Sequence, residues 1–330
     1  MAELISLGVD FGGTKIEAAV IARQAGGEDA AFRVLAKRRV PTDRDRGYEA
    51  VLESTLSLVR ETAKEAGLGL ATLPVGVGMP GSVTRRDGLV KNSNTLCLNG
   101  RPFRQDIERA LSTRVQFEND ANCFALAEAC LGAGRKYTDG VVFGVILGTG
   151  VGGGLILRGR PWAGIQGLGG EWGHHAVGPW RRPDDEGPAL SGAGVSERPR
   201  CSCGKYGCLE LYASGGGIER EYQRRSGEAR RLPELLERRA IDEHARVIVD
   251  DFLEAFGRGL ANVIDILDPS AVVLGGGVSN LDILYEEGRA RVAKYVFNDE
   301  LETPILRHEL GDSAGVIGAA LLQERGASGA

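Results

Sequence analysis

The chain has 330 residues, 42% of them hydrophobic, with 40 Lys and Arg against 45 Asp and Glu. That length suits two ordinary domains with large cores. A net charge of −5 without a basic stripe argues against a nucleic-acid binder. The start, Met1-Ala2-Glu3, has neither the basic stretch nor the long apolar segment of an export signal, so the expected location is the cytoplasm.

Residues 4–9 read as a first strand, with 16–21 and 34–40 as antiparallel partners and a Gly-rich turn at 22–31. Tyr48, Leu52, Leu56, Val59 and Ala63 recur at helical spacing, and Gly67 closes that helix. Residues 74–79 return to strand, and three strands, a helix and a strand begin a mixed sheet covered by helices. Residues 115–118 read as a further strand. Residues 141–157 carry no charge over 17 positions but are too short and too rich in glycine for a membrane span. They read as a hairpin of 141–147 and 151–157. A long helix over 242–267 stops at Asp268-Pro269, and the strand 271–274 leads into Gly275-Gly276-Gly277. A last helix at 315–324 is expected to cross back to the first domain. Residues 181–200, rich in Pro, Gly, Ser and charge, are expected to form a mobile surface loop. Each half of the chain thus opens on hairpins and then alternates helix and strand.

Three glycine runs suit an anion. Asp10-Phe11-Gly12-Gly13-Thr14-Lys15 follows a strand directly; its glycines let backbone N–H groups face a phosphate, and Asp10 is placed to hold Mg²⁺ through water. Gly148-Thr149-Gly150-Val151-Gly152-Gly153-Gly154 is richer in glycine than a turn requires, and the two loops facing each other would make a two-sided phosphate clamp. The third, around Gly276 and Gly277, lies between a strand and an expected helix, whose N-terminus suits a nucleotide. The first lacks Walker A spacing, and the first two have plainer readings as tight hairpin turns. Cys201-x-Cys203-x₄-Cys208 sets three thiols on a short loop, with His174 or His175 as a fourth ligand; this set suits structural Zn²⁺ better than a disulfide. Cys97, Cys123 and Cys130 are isolated and read as packed apolar residues. Asp120, between a strand and a helix, is either a helix cap or a general base.

These runs in this order, with Glu118-Asn119-Asp120-Ala121-Asn122, Gly170-Glu171-Trp172-Gly173-His174 and the cysteine loop ending at Glu210, resemble the ROK family of the sugar kinase/actin/heat-shock ATPase superfamily. The resemblance covers nearly the whole chain. It implies an α/β fold of two RNase H-like (actin-like ATPase) domains, each a mixed sheet flanked by helices, with an interdomain active-site cleft. The expected boundaries are 1–120 plus 311–330 for the small domain and 121–310 for the large one, which carries the zinc knuckle and nucleotide loops. It implies transfer from MgATP to the 6-hydroxyl of a hexose, with Asp120 as general base. Ser82, Asn94, Asn119, Glu171, His174 and Glu210 would contact the sugar, and Zn²⁺ would sit on His174, Cys201, Cys203 and Cys208. ATP would lie against Asp10, Gly12, Gly13, Thr14, Lys15, Gly148, Thr149, Gly150, Gly152, Gly153, Gly276 and Gly277.

Gly81-Ser82-Val83, Lys91-Asn92-Ser93-Asn94-Thr95 and Leu98-Asn99-Gly100 look most like the fructokinases of the family, so D-fructose is the expected substrate. N-acetylglucosamine or another N-acetylhexosamine, glucose and mannose are the alternatives, and a catalytically silent sugar-binding protein is the alternative of another class. A ROK repressor would need a DNA-binding segment before Asp10, for which nine residues leave no room. No nucleic acid and no membrane partner is expected. A homo-oligomer is, with a dimer favoured.

Overall fold

A computed structural model of the protein describes residues 3–24, 32–84, 86–177 and 199–322. The chain runs β1 (Glu3–Phe11), β2 (Lys15–Gln24), β3 (Phe32–Pro41), α1 (Tyr48–Glu65), β4 (Val75–Met79), β5 (Ser82–Val83), β6 (Val90–Lys91), α2 (Phe103–Leu111), β7 (Val115–Asn119) and α3 (Asp120–Leu131). It continues β8 (Val141–Leu147), β9 (Val151–Leu157), β10 (Arg160–Pro161), α4 (Glu210–Ala213), α5 (Gly215–Ser226), α6 (Leu232–Arg238) and α7 (Glu243–Leu267). It closes with β11 (Ala271–Gly275), α8 (Glu287–Tyr295), β12 (Ile305–Arg307) and α9 (Ala314–Leu321).

One sheet has the order β3-β2-β1-β4-β7 and another β10-β9-β8-β11-β12. In the first, β1 pairs antiparallel with β2 and parallel with β4, and β4 pairs parallel with β7. The second repeats the scheme, with β11 and β12 parallel. Two compact units emerge from the contacts: Met1–Gly144 with Gly154–Gly170 and His308–Ala330, and Val145–Gly153 with Glu171–Arg307.

In the first unit the pleat separates two kinds of packing. Leu7, Val9 and Phe11 join Val75, Val77, Val51, Val59 and Phe103 in one buried core. The other face of β1 and β4 carries small residues, because α9 lies on it at backbone distance. A Cβ on Gly76 would come 1.9 Å from the carbonyl oxygen of Ala319, and one on Gly318 would come 1.8 Å from that of Cys123 in α3. Glu128 of α3, fully buried, accepts from the N–H groups of Ala133, Glu309 and Leu310, and so ties α3 to the chain just before α9. In the second unit α7 is the central helix; Asp242 caps it by accepting from the Ala245 N–H, and the left-handed Asp268 ends it ahead of Pro269.

Several expectations shift. β2 runs on to Gln24, so the turn begins later than residue 22, and residues 25–31 lie outside the described residues. Of the 181–200 loop, 181–198 lie outside them too, as do residues 323–324 of the last helix, which begins at Ala314. The third glycine run does not open an α-helix. It enters a 3₁₀ turn, Gly277–Asn280, in which Ser279 bonds back to the Gly276 carbonyl through both its N–H and its hydroxyl, and α8 starts only at Glu287.

Candidate active site and metal centre

In the first unit, Asp10 is the last residue but one of β1 and Asn119 ends β7, with β4 between the two strands. The registers Asp10↔Gly78 and Gly78↔Glu118 put both on the C-terminal edge of the sheet. In open α/β sheets this is the edge where ligands collect. Asn119 is the cap and Asp120 the first helical residue: the Ala121 N–H is shared between Asn119 Oδ1 and Asp120 Oδ1, each at 2.9 Å. The Asn119 amide also donates to the Gly81 carbonyl, next to Ser82. Glu118 accepts from the Asn119 N–H and from Asn122 Nδ2, and Asn122 Oδ1 accepts from Leu155 N–H on β9. The turn bearing Asp120 is therefore fixed by a buried polar chain.

The loop between Asp10 and Lys15 is closed by Gly12 N–H to the Lys15 carbonyl at 2.9 Å. Among the described residues the N–H groups of Gly13 and Thr14 make no hydrogen bond. Burial pushes the Asp10 carboxyl up to about 7, with the charges of Asp120 and Glu17 adding to it and Lys15 and Arg39 opposing. Glu17, directly opposite Asp10 on β2, is 3% exposed and paired with Lys37 and Arg39. Ser82 Oγ is buried and has no partner among the described residues. Asn94 stands exposed on a loop stapled by Asn99, which accepts from the Ser93 N–H and donates to the Ser93 carbonyl. Asn99, part of the run that looks like fructokinases, is thus a loop brace.

In the second unit the turn between β8 and β9 gathers other predicted residues. Gly148 N–H bonds to the Gly150 carbonyl, and Val151 N–H to Glu210 Oε2 at 3.1 Å. Trp172 Nε1 donates to the Gly152 carbonyl, anchoring the Glu171–His174 segment there. Gly276, at φ 82°, lies so close that a Cβ would be 2.4 Å from the Leu147 carbonyl oxygen. Gly215 N–H donates to the Gly148 carbonyl, which adds the start of α5, Gly215-Gly216-Gly217, to the group. The sequence reading missed this run, although Ser214 followed by three glycines is a helix-start signal.

The cysteine loop folds as expected. Ligand atoms of His174, Cys201, Cys203 and Cys208 all lie within 4.8 Å of one another. The Cys203 and Cys208 sulfurs are 3.6 Å apart, and Cys201 Sγ is 3.7 Å from His174 Nδ1. A tetrahedral Zn²⁺ with Zn–S near 2.3 Å needs S–S edges of about 3.8 Å, so the set fits that ion, while a disulfide would need about 2.05 Å. Burial, and then its sulfur neighbours, push the Cys208 thiol up to about 12. A dication among the sulfurs reverses that balance, since coordinating thiols lose their protons. Glu210 Oε1 lies 3.8 Å from Cys201 Sγ, so one carboxylate touches both the cysteine cluster and the glycine turn. His175 is a half-buried neighbour rather than a surface residue: its Nε2 is buried, and burial lowers its pKa. Cys123 is fully buried and its thiol is pushed well up; Cys97 and Cys130 are half-buried.

Among the described residues no helix is long and apolar enough to cross a membrane. The sequence profile of the ROK family matches residues 6–325. The N-acetyl-D-glucosamine kinase of Pectobacterium atrosepticum is 38% identical over 317 residues, 96% of this chain and 97% of that protein. Among solved structures, a ROK hexokinase from Thermus thermophilus superposes with a TM-score of 0.79 at 32% identity, covering 97% of each chain. A ROK glucokinase from Streptomyces griseus, in complex with glucose and AMPPNP, superposes at 0.70 with 26% identity, over 97% of this chain and 99% of that one. With a profile match and relatives of this similarity spanning nearly its full length, the chain is a member of the ROK family, with that family's two-domain actin-like fold.

Proposed function

We propose that the protein is an ATP-dependent hexose kinase of the cytoplasm whose sugar is N-acetyl-D-glucosamine, phosphorylated on its 6-hydroxyl. The observation that carries the choice of sugar is the 38% identity to an N-acetyl-D-glucosamine kinase along 96% of the chain. Fructose, expected from three short runs, is not favoured by that relative, and the Asn99 of one run braces a loop.

Asp120 takes the proton of the sugar hydroxyl as the oxygen attacks the terminal phosphorus of ATP, while the bond to the bridging oxygen breaks. Asn119, Asn94 and Ser82 hold sugar hydroxyls; the orphaned Ser82 hydroxyl is a group that a ligand would satisfy. Glu171, His174 and Glu210 complete the sugar contacts. A histidine has two ring nitrogens, so His174 can ligate a metal with one and bond the sugar with the other. Asp10 and the N–H groups of Gly13 and Thr14 receive the phosphates, with Mg²⁺ neutralising their charge when bound. Gly148, Thr149, Gly150, Gly152, Gly153, Gly276 and Gly277 line the nucleotide. Zn²⁺ on His174, Cys201, Cys203 and Cys208 is structural and holds the sugar-binding carboxylates to one rigid knuckle.

The test is ADP release with MgATP over N-acetylglucosamine, N-acetylmannosamine, glucose, mannose and fructose. A kcat/KM for N-acetylglucosamine at least about tenfold above fructose, about 1.4 kcal/mol in transition-state binding, is expected. A preference for fructose returns the assignment to a fructokinase. No turnover with any sugar refutes the kinase.

A further inference from the structure

After β3 the chain wraps the first glycine loop. Thr42 is fully buried; its N–H donates to the Thr14 carbonyl at 3.0 Å and its hydroxyl to the Gly12 carbonyl at 2.7 Å. Asp43 follows at φ 49°, in the left-handed region that non-glycine residues rarely adopt. Its carboxylate turns to Arg46, 3.4 Å away. Arg44 comes next. A Cβ built on Gly13 would lie 3.8 Å from Arg44 Nη1 and 3.9 Å from Asn94 Oδ1, so the guanidinium, the phosphate-loop glycine and Asn94 border one small space.

The arginines around it are paired with acids: Arg38 with Glu61 and Glu65, Arg39 with Glu17, Arg46 with Asp43. Among the described residues Arg44 has no such partner. Glu17, a buried carboxylate on the neighbouring strand, is already occupied by Lys37 and Arg39. An unpaired planar fork of N–H donors beside a glycine loop suits an anion with several oxygens, and a phosphoryl group is such an anion. The neutral hydroxyls of a sugar need no guanidinium, and Asn94 on the other side of the space suits them.

We propose that Arg44 is a further catalytic residue, whose guanidinium binds the phosphoryl group as it passes to the sugar. The inference rests on the kinase reading above. In the step, the bond from phosphorus to the bridging oxygen of the nucleotide breaks and a bond to the sugar oxygen forms. The hydroxyl proton goes to Asp120, and Arg44 donates hydrogen bonds to the non-bridging oxygens without giving up a proton. Charge on those oxygens is where a phosphoryl transferase can stabilise the transition state.

The test uses Arg44→Ala and Arg44→Lys in the full chain, with the hexose that the wild type turns over best. Calorimetric titration with the free hexose and with its 6-phosphate separates the two contacts. In Arg44→Ala, affinity for the 6-phosphate is expected to fall at least about tenfold while that for the free hexose stays within about twofold. Arg44→Lys, with charge but no fork, falls between. Turnover of Arg44→Ala is expected to drop about 100-fold, with the hexose KM within about threefold, and millimolar guanidinium ion to restore part of it. Equal losses for hexose and 6-phosphate would make Arg44 a sugar contact and overturn the proposal, as would wild-type binding and turnover. Should the alanine variant be unstable, the lysine variant decides by the same ratio. A wild type that neither phosphorylates a hexose nor binds a 6-phosphate refutes the kinase reading itself.

Discussion

Replacing Asp10 by Asn should make the metal-free protein more stable, and more so as pH rises. Folding moves the Asp10 carboxyl from 3.8 to about 7, chiefly by burial, with the charges of Asp120 and Glu17 adding to it. Below about pH 4 the group is protonated in both states and contributes nothing. Between 4 and 7 the unfolded chain loses this proton while the folded chain keeps it, so stability falls as pH rises. Above 7 the deficit levels off. A shift of about three units at about 1.36 kcal/mol each sets it at about 4 kcal/mol. Asparagine keeps the shape without the titration, so its advantage should grow from nearly nothing at pH 4 to as much as about 4 kcal/mol at pH 8. The assay is urea unfolding of both proteins from pH 4 to 8 in chelated buffer. A variant no more stable than the wild type at pH 8, or one with the same advantage at every pH, refutes the argument. The proposed role adds a second readout: the same substitution should nearly abolish turnover, so stability and activity move in opposite directions.

Asp120→Asn should lower kcat by about 10²–10⁴-fold while leaving sugar affinity within a few fold, measured by steady-state kinetics and calorimetry; an unchanged kcat removes the base assignment. Elemental analysis should find one zinc per chain, and a strong chelator should lower the melting temperature by at least about 5 °C. Cys203→Ser should do nearly the same although Cys203 is exposed, which is not expected of an exposed cysteine outside a metal site. Glu128→Gln keeps the size of the side chain but turns an N–H donor toward at least one of three backbone donors, and should cost about 2 kcal/mol or more in denaturant unfolding. A neutral result there would mean that packing and the Arg135–Glu309 ion pair hold the chain before α9 without Glu128.

The features that were legible in the sequence are those set by residues close together in the chain. The three antiparallel strands, the hairpin of β8 and β9 and the long α7 follow from apolar periodicity and from Asp242 and Pro269 at the ends of the helix. The cysteine loop is also local: Cys201, Cys203 and Cys208 span one tight turn, and only His174 must be brought from elsewhere. The helix expected after Gly277 failed because a 3₁₀ turn and an extended Leu281 intervene, and glycine runs are compatible with either outcome.

What could not be read depends on which distant segments meet. The small residues of α9 look like ordinary helix filler, yet Gly318 permits backbone contact with Cys123 of α3, far away in the sequence. Glu128 looks like a solvated charge within an apolar helix, and only the fold supplies the three N–H groups that make its burial tolerable. Arg44 sits among other arginines in a stretch that reads as a charged surface. Its distinction is negative: among the described residues no carboxylate lies within ion-pair distance of it, whereas Arg38, Arg39 and Arg46 are each paired with an acid. Motifs therefore reveal the residues that act through their local spacing. A residue that acts because one partner is missing and a ligand can replace it leaves no motif, and the completed pairing of its neighbours is the observation that brings it out.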